Sequence, residues 1–250
     1  MEKSEYRNIY RNEDSYFFYV ANHKIIISLF ERYKPYASQT IKILEAGCGT
    51  GLLSQKLSSY GKVTPIDLHP EAIKLSKERG LKVIKGSVNN IPFPDNCFDV
   101  VTSIDVIYHK LVDDRKAISE FFRVLKPGGI AILRVPANKW LVRQSDYHVH
   151  TRERYNAKEL RQKLQKNGFI LEKISYVNSP LLPAAIISYY VEKIFKINEN
   201  KSPITTTPKL INWLLIALLC LESYVLRIIN LPFGLGLIAV ARKPNNQSKQ

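Results

Sequence analysis

Two hydrophobic patterns alternate along the chain. Short runs at 41–46, 62–67, 82–87, 97–105, 130–135 and 169–177 read as strands, and 97–105, apolar and bounded by turn residues, reads as one buried on both faces. Between them the apolar positions take helical spacing. Ala117, Ile118, Phe121, Phe122 and Leu125 share one helix face, and Asn156 followed by Glu159 is a variant capping box opening a helix that stops at Asn167 and Gly168. Strand and helix patterns alternate as far as about residue 177, which predicts a doubly wound α/β sheet within one core. A seventh strand reads at 235–241, roughly 55 residues after the sixth, much longer than an ordinary connection. The intervening stretch predicts an apolar helix over 183–195 and a second one opening at Thr207 and Pro208.

The run 41–46 leads into Gly47-Cys48-Gly49-Thr50-Gly51 and then Leu52-Leu53, a strand entering a glycine-rich turn that opens a helix. Gly47 and Gly49 let the backbone take positive φ and approach a ligand, and the new helix directs its free amides to the same place. A dinucleotide fingerprint needs its third glycine at position 52, which is Leu52; no Gly-Lys-Ser/Thr follows any glycine pair, so a P-loop is also excluded.

Glu45-x-Gly47-x-Gly49-x-Gly51 resembles the first motif of class I S-adenosylmethionine-dependent methyltransferases, and the phrase 123–129 with the strand after it is similar to the family's approach to strand five. The resemblance spans about residues 10–177. It implies a seven-stranded Rossmann-like sheet with an antiparallel last strand, S-adenosyl-L-methionine as cofactor, and a methyltransferase activity. Glu45 suits the cofactor's ammonium and would repel a pyrophosphate; its other reading is a cap on an exposed turn. Asp67, twenty residues beyond Gly47, is the expected ribose acceptor and also a suitable helix-start charge ahead of Pro70. The resemblance further places Gly47, Cys48, Gly49, Thr50 and Gly51 in the cofactor turn, Leu68 beside Asp67, and Ser87 and Val88 at the adenine; Ser103, Ile104 and Asp105 leave the carboxyl end of the fourth strand, where the methyl group is expected to emerge. Cys48 is there for its size. Ser87 departs from the family's usual Asp, and a hydroxyl accepts from the adenine amino group more weakly than a carboxylate. Asp99 is expected to be a structural hydrogen-bonding group.

The segment 136–155 is the expected source of side chains over the acceptor. His148 and His150 are candidate general bases, with Tyr155 the third catalytic candidate from an Arg-Tyr pair similar to that of small-molecule members of the family. Solvated loop histidines are the competing reading, and His109 is a weaker candidate. The cluster 13–19 reads either as a cap over cofactor and substrate or as packing on a sheet edge. These patterns divide the chain into an N-terminal helical cap (1–40), the cofactor-binding core (41–177), a helical insertion (178–233) and a final strand with a polar tail (234–250).

Charge and cysteines narrow the partners. The net charge is +15, yet the basic residues are scattered, with a modest excess over 139–173 that includes Arg143, Arg152, Arg154, Arg161 and Lys163. No Asn/Asp-Pro-Pro-Tyr base-methylating motif is present, so a small-molecule or lipid-linked acceptor, methylated on oxygen or carbon, is expected ahead of nucleic acid or protein; a docking module that keeps the fold without turnover is the other class. Excess lysine also suits anionic lipid. Three cysteines without metal-ligand spacing point to a reducing cytosol and no metal site. The N-terminus lacks a signal-type apolar segment and is expected to remain in the mature protein. The apolar run after Thr207 is about half a bilayer span before Glu222 and Arg227 intervene, which predicts a substrate lid or a helix lying on a membrane surface, with burial in the core as the third option.

Overall fold

The apolar runs pair into one seven-stranded sheet in the order β3-β2-β1-β4-β5-β7-β6. A computed structural model describes residues 1–35, 40–142, 146, 150–195 and 207–245. Its strands are β1 (Ile41–Ala46), β2 (Gly61–Asp67), β3 (Ile84–Lys85), β4 (Phe98–Ile104), β5 (Leu125–Pro136), β6 (Ile170–Val177) and β7 (Gly236–Arg242). The first five strands are parallel neighbours, and β7 runs antiparallel to both β5 and β6. The helices are α1 (Lys3–Asn12), α2 (Phe17–Tyr33), α3 (Leu52–Leu57), α4 (Pro70–Glu78), α5 (Asp114–Val124), α6 (Ala157–Lys166), α7 (Leu182–Ile194) and α8 (Lys209–Ile228).

Successive strand residues serve opposite faces. Leu44, Val101, Leu133 and Ala239 pack with Ile118, Phe121, Leu160 and Leu164 of α5 and α6. Ile43, Val100, Ile132 and Val240 pack with Ile25, Ile26, Leu29 and Phe30 of α2, and with Leu57 and Leu226. The 1–40 segment is therefore more than a cap, because α2 is one of the two layers that close the core. It is bound to α8 by polar contacts as well. Phe17 N donates to Asn212 Oδ1 at 2.9 Å, and Asn212 Nδ2 donates to the Ser15 carbonyl at 2.9 Å, so a side chain from α8 caps the start of α2.

Two differences from the expected elements have physical causes. The turn at Gly128 and Gly129 lies within β5, where the pairing with β4 jumps from Phe98↔Leu125 to Val100↔Ile130 and the extra residues bulge out. Asp99 sits at that bulge, accepting from Lys42 N at 2.8 Å and pairing with Lys126 Nζ at 2.6 Å, the structural role expected of it. Thr207 gives α8 no side-chain cap, since the position before the helix is Pro208. Asn156 does cap α6, accepting from Glu159 N at 2.8 Å.

Candidate functional site

A cavity of 560 Å³ opens at the carboxyl ends of β1, β2, β4 and β5, where open α/β sheets bind ligands. Its first half is the glycine turn. Gly47 (φ +87°) and Cys48 both donate their amides to the Ile66 carbonyl at 2.9 Å, and Gly49 N donates to Asp67 Oδ2 at 2.9 Å, which locks the turn onto the end of β2. A Cβ at Gly47 would lie 2.4 Å from a Val106 methyl, so this position admits glycine alone. Asp67 also accepts from His69 N at 2.9 Å, and its carboxylate, which lines the cavity, retains acceptor capacity for a ligand hydroxyl.

Glu45 is buried at the end of β1, where Ser54 Oγ donates to Oε2. Burial pushes its carboxyl up to about 8, against the Ser54 hydrogen bond that lowers it. A cation brought into the cavity would reverse that effect. Burial likewise raises Asp67, against the amides of His69 and Gly49.

The second half of the cavity is more apolar, with Phe18 and Tyr19 from α2, Tyr108 and Leu111 after β4, Leu141 after β5, and Ala185 of α7. Of the polar groups at this end, Arg134, Asn178, Asn22 and His23 are buried and Asp105 is partly exposed. Arg134 on β5 bonds Asp105 through Nη1 and Asn178 Oδ1 through Nη2 at 3.0 Å, with its guanidinium 5.1 Å from the Phe18 ring. Asp105 (φ +58°) is raised by burial and lowered by Arg134. On α2, His23 Nδ1 and Asn22 Oδ1 are buried without hydrogen-bond partners among the described residues, and both residues line the cavity. Burial drives the His23 imidazole down to about 3, so it stands neutral there. Unsatisfied polar atoms facing a cavity mark places a polar ligand would satisfy.

The residues singled out from sequence are not all brought together. Glu45, Gly47, Cys48, Gly49, Thr50, Asp67, Leu68, Ser87, Val88, Ile104 and His150 line the cavity. Gly51 does not: at φ +87° it starts α3 with its α-carbon toward Leu81 and Ser76, behind the turn. Ser103 is wholly buried in β4 opposite Leu133, outside the lining, because strand alternation turns Ile104 to the cavity instead. Tyr155 is corrected in the same way. Its backbone pairs with Pro136 and Asn138, which drives the ring into the core, where its hydroxyl donates to Asp114 Oδ2 at 2.7 Å. Burial first, and Asp114 second, raise that phenol far beyond use as a base. His148 lies outside the described residues. His150 sits at the mouth with Nδ1 3.3 Å from the Met1 amino nitrogen, and burial lowers its pKa.

Sequence reading missed Asn22, His23 and Arg134 as site residues, which are set by contacts made only in the folded chain. Asp105, expected at the carboxyl end of a buried strand, does line the cavity. Ser87 Oγ accepts from Asn89 N at 3.2 Å, so the departure from the family's Asp leaves a hydroxyl that is already engaged.

A seven-stranded sheet with this final antiparallel strand and a glycine turn held between two strand-end carboxylates defines the Rossmann-like class I methyltransferase architecture. Residues 44–133 match the family model of a methyltransferase domain, and that part of the chain belongs to the S-adenosyl-L-methionine-dependent methyltransferases. Demethylmenaquinone methyltransferase of Staphylococcus aureus is 37% identical over 101 residues, 37% of this chain and 42% of that protein. The ubiquinone/menaquinone biosynthesis C-methyltransferase UbiE of Cronobacter sakazakii is 34% identical over 100 residues, 35% of this chain and 39% of that protein. The aligned part thus spans about two fifths of these relatives. Among solved structures, phosphoethanolamine N-methyltransferase 2 of Haemonchus contortus, in complex with S-adenosyl-L-methionine, superposes with a TM-score of 0.57 at 20% identity, over 96% of this chain and 60% of that one. YcgJ of Bacillus subtilis gives 0.59 at 18% identity, over 89% and 99%. At these identities the structural likeness speaks for the fold.

Proposed function

We propose that the protein transfers the methyl group of S-adenosyl-L-methionine to an oxygen or carbon of a small, apolar or lipid-linked acceptor. The observation that carries this is the two-part cavity: a glycine turn between Glu45 and Asp67 at one end, and a mainly aromatic and aliphatic end beside it. The residues present fit the cofactor. Glu45 would receive the ammonium, Asp67 the ribose hydroxyls, and the close approach at Gly47 and Gly49 the amino-acid edge. The cofactor supplies a methyl group already activated on a sulfonium.

What remains for the chain is to orient the acceptor and exclude water. Phe18, Tyr19, Tyr108 and Leu141 would hold an apolar body, and the pair of the buried Arg134 with the partly exposed Asp105 offers a fixed dipole to a polar head. For a hydroxyl acceptor His150, its pKa lowered by burial and by the neighbouring Met1 amino group, is the group to take the proton. The relatives named for demethylmenaquinone and for ubiquinone/menaquinone biosynthesis support an acceptor of quinone type.

The test follows labelled methyl from S-adenosyl-L-methionine into cell extract and partitions the products. Label in the organic phase, lost with both Gly49→Val and Asp67→Ala, is the expected result. Label confined to water-soluble glycan, RNA or protein would overturn the apolar acceptor, and turnover unaffected by either substitution would overturn the site.

A further inference from the structure

The exposed large apolar side chains are concentrated on two elements. On α8, Leu210 (70% exposed), Trp213 (63%), Leu214, Leu218, Leu221 and Tyr224 face solvent; on α7, Ile187, Tyr190 and Ile194 (70%) do the same. Only 22% of the most apolar window of α8 is buried, and by length and composition that helix matches a membrane span. Its packing prevents a span. Leu219, Glu222, Ser223 and Leu226 form its inner stripe; Leu226 belongs to the core, and Glu222 accepts the amides of Asn178 and Ser179, each at 2.9 Å. A helix attached along one side to its own domain lies flat and presents the other side.

We propose that the outer face of α7 and α8 is a docking surface for an anionic lipid bilayer, on which α8 lies in the plane of the interface. Several features select that occupant over a second copy of the chain. The exposed charges on the two helices are the cations Lys193 and Lys209, with Glu192 half-buried and Arg227 paired with Glu31 at 3.9 Å, and the exposed Lys24 of α2 lies over the ring of Tyr224 at 5.1 Å. The whole chain carries +15. Twofold pairing through this face would oppose two cationic rims, whereas anionic headgroups neutralise them. Trp213, Tyr190 and Tyr224 add the amphipathic rings that settle at headgroup level beside aliphatic side chains reaching the acyl boundary.

The same surface adjoins the site. Ala185 of α7 lines the cavity, and Tyr189 on that helix packs edge-on against Trp140 at 6.0 Å, next to the cavity residue Leu141. An apolar acceptor held in the bilayer would thus reach the cavity beside α7 without crossing water; that route rests on the methyl-transfer reading, while the docking does not.

The experiment uses the full chain and vesicles of phosphatidylcholine with or without phosphatidylglycerol. The chain has two tryptophans, so Trp140→Phe leaves Trp213 as a single fluorescent probe on the proposed face. Flotation with anionic vesicles, weakened by salt, with a blue shift of Trp213 and its quenching by brominated lipid, is the expected result. Leu214→Glu with Leu218→Glu should weaken partitioning by roughly tenfold or more, given the apolar area removed from the interface. Cofactor affinity of the same variant, read by calorimetry, should stay within about twofold, which also shows that it is folded. Trp213 unquenched by brominated lipid would overturn the proposal. So would a variant that floats like the parent, or a wild-type dimer that the substitutions split while vesicles bind neither form. Vesicle binding without cofactor binding would overturn the methyl-transfer reading and leave the docking surface standing.

Discussion

Glu45 carries the clearest linkage between charge and stability. Its carboxyl titrates at about 8 when folded and near its ordinary 4.5 when unfolded, so between these values the folded state binds more protons. Stability of the ligand-free protein therefore falls as pH rises through this window and levels off above it. His23 has the opposite sign: neutral in the fold down to about 3, it draws protons to the unfolded state below its ordinary 6.5, and stability falls as pH drops. From pH 6.5 to 8 the histidine contribution is nearly spent, and Glu45 adds to any slope from Asp67. Thermal melts across that range should show a falling Tm for the wild type and a distinctly flatter one for Glu45→Gln; equal slopes would show that Glu45 is already ionised. Gly47→Ala is a steric test at the same turn. Its Cβ meets Val106 at 2.4 Å on a backbone of positive φ, and cofactor binding should weaken by at least about tenfold, measured by calorimetry.

Among the elements, α8 divides into two faces with opposite sensitivities. Glu222→Leu would orphan the amides of Asn178 and Ser179 and is expected to cost about 1–3 kcal/mol for each amide left buried. Leu221→Gln, one residue away and 60% exposed, should change stability by less than about 0.5 kcal/mol. Denaturant titration of the two variants checks both. What sequence made legible follows from how local each signal is. The strands, the capping box at Asn156 and the turn that joins Gly49 to Asp67 were readable because each needs only a short stretch of chain or a known spacing between two strand ends. The cap on α2 was not, since Asn212 follows Phe17 by 195 residues. Neither was the bond between Arg134 and Asn178, which depends on β7 separating β5 from β6. Tyr155 misled for a related reason: the Arg-Tyr order is visible in sequence, but the rotation of the chain leaving β5 is fixed by backbone bonds to Pro136 and Asn138.

Over the whole molecule, positive charge is distributed in a way the sequence count conceals. Part of the local excess over 139–173 is neutralised within the fold: Arg154 binds both oxygens of Asp146, while Lys163 and Arg152 pair with Asp114. Those cations are poorly placed to grip a phosphate backbone. The sheet order has another consequence. β7 pairs with β5 on one side and β6 on the other, yet it follows both in the chain, with α7 and α8 between. On the ribosome, β6 has no strand to pair with until β7 emerges, and two strongly apolar helices are synthesised during that wait. Closure of the sheet is thus a late, long-range event, and the nascent chain is most exposed to aggregation or to capture by a chaperone or lipid in the interval before β7 slots between its neighbours.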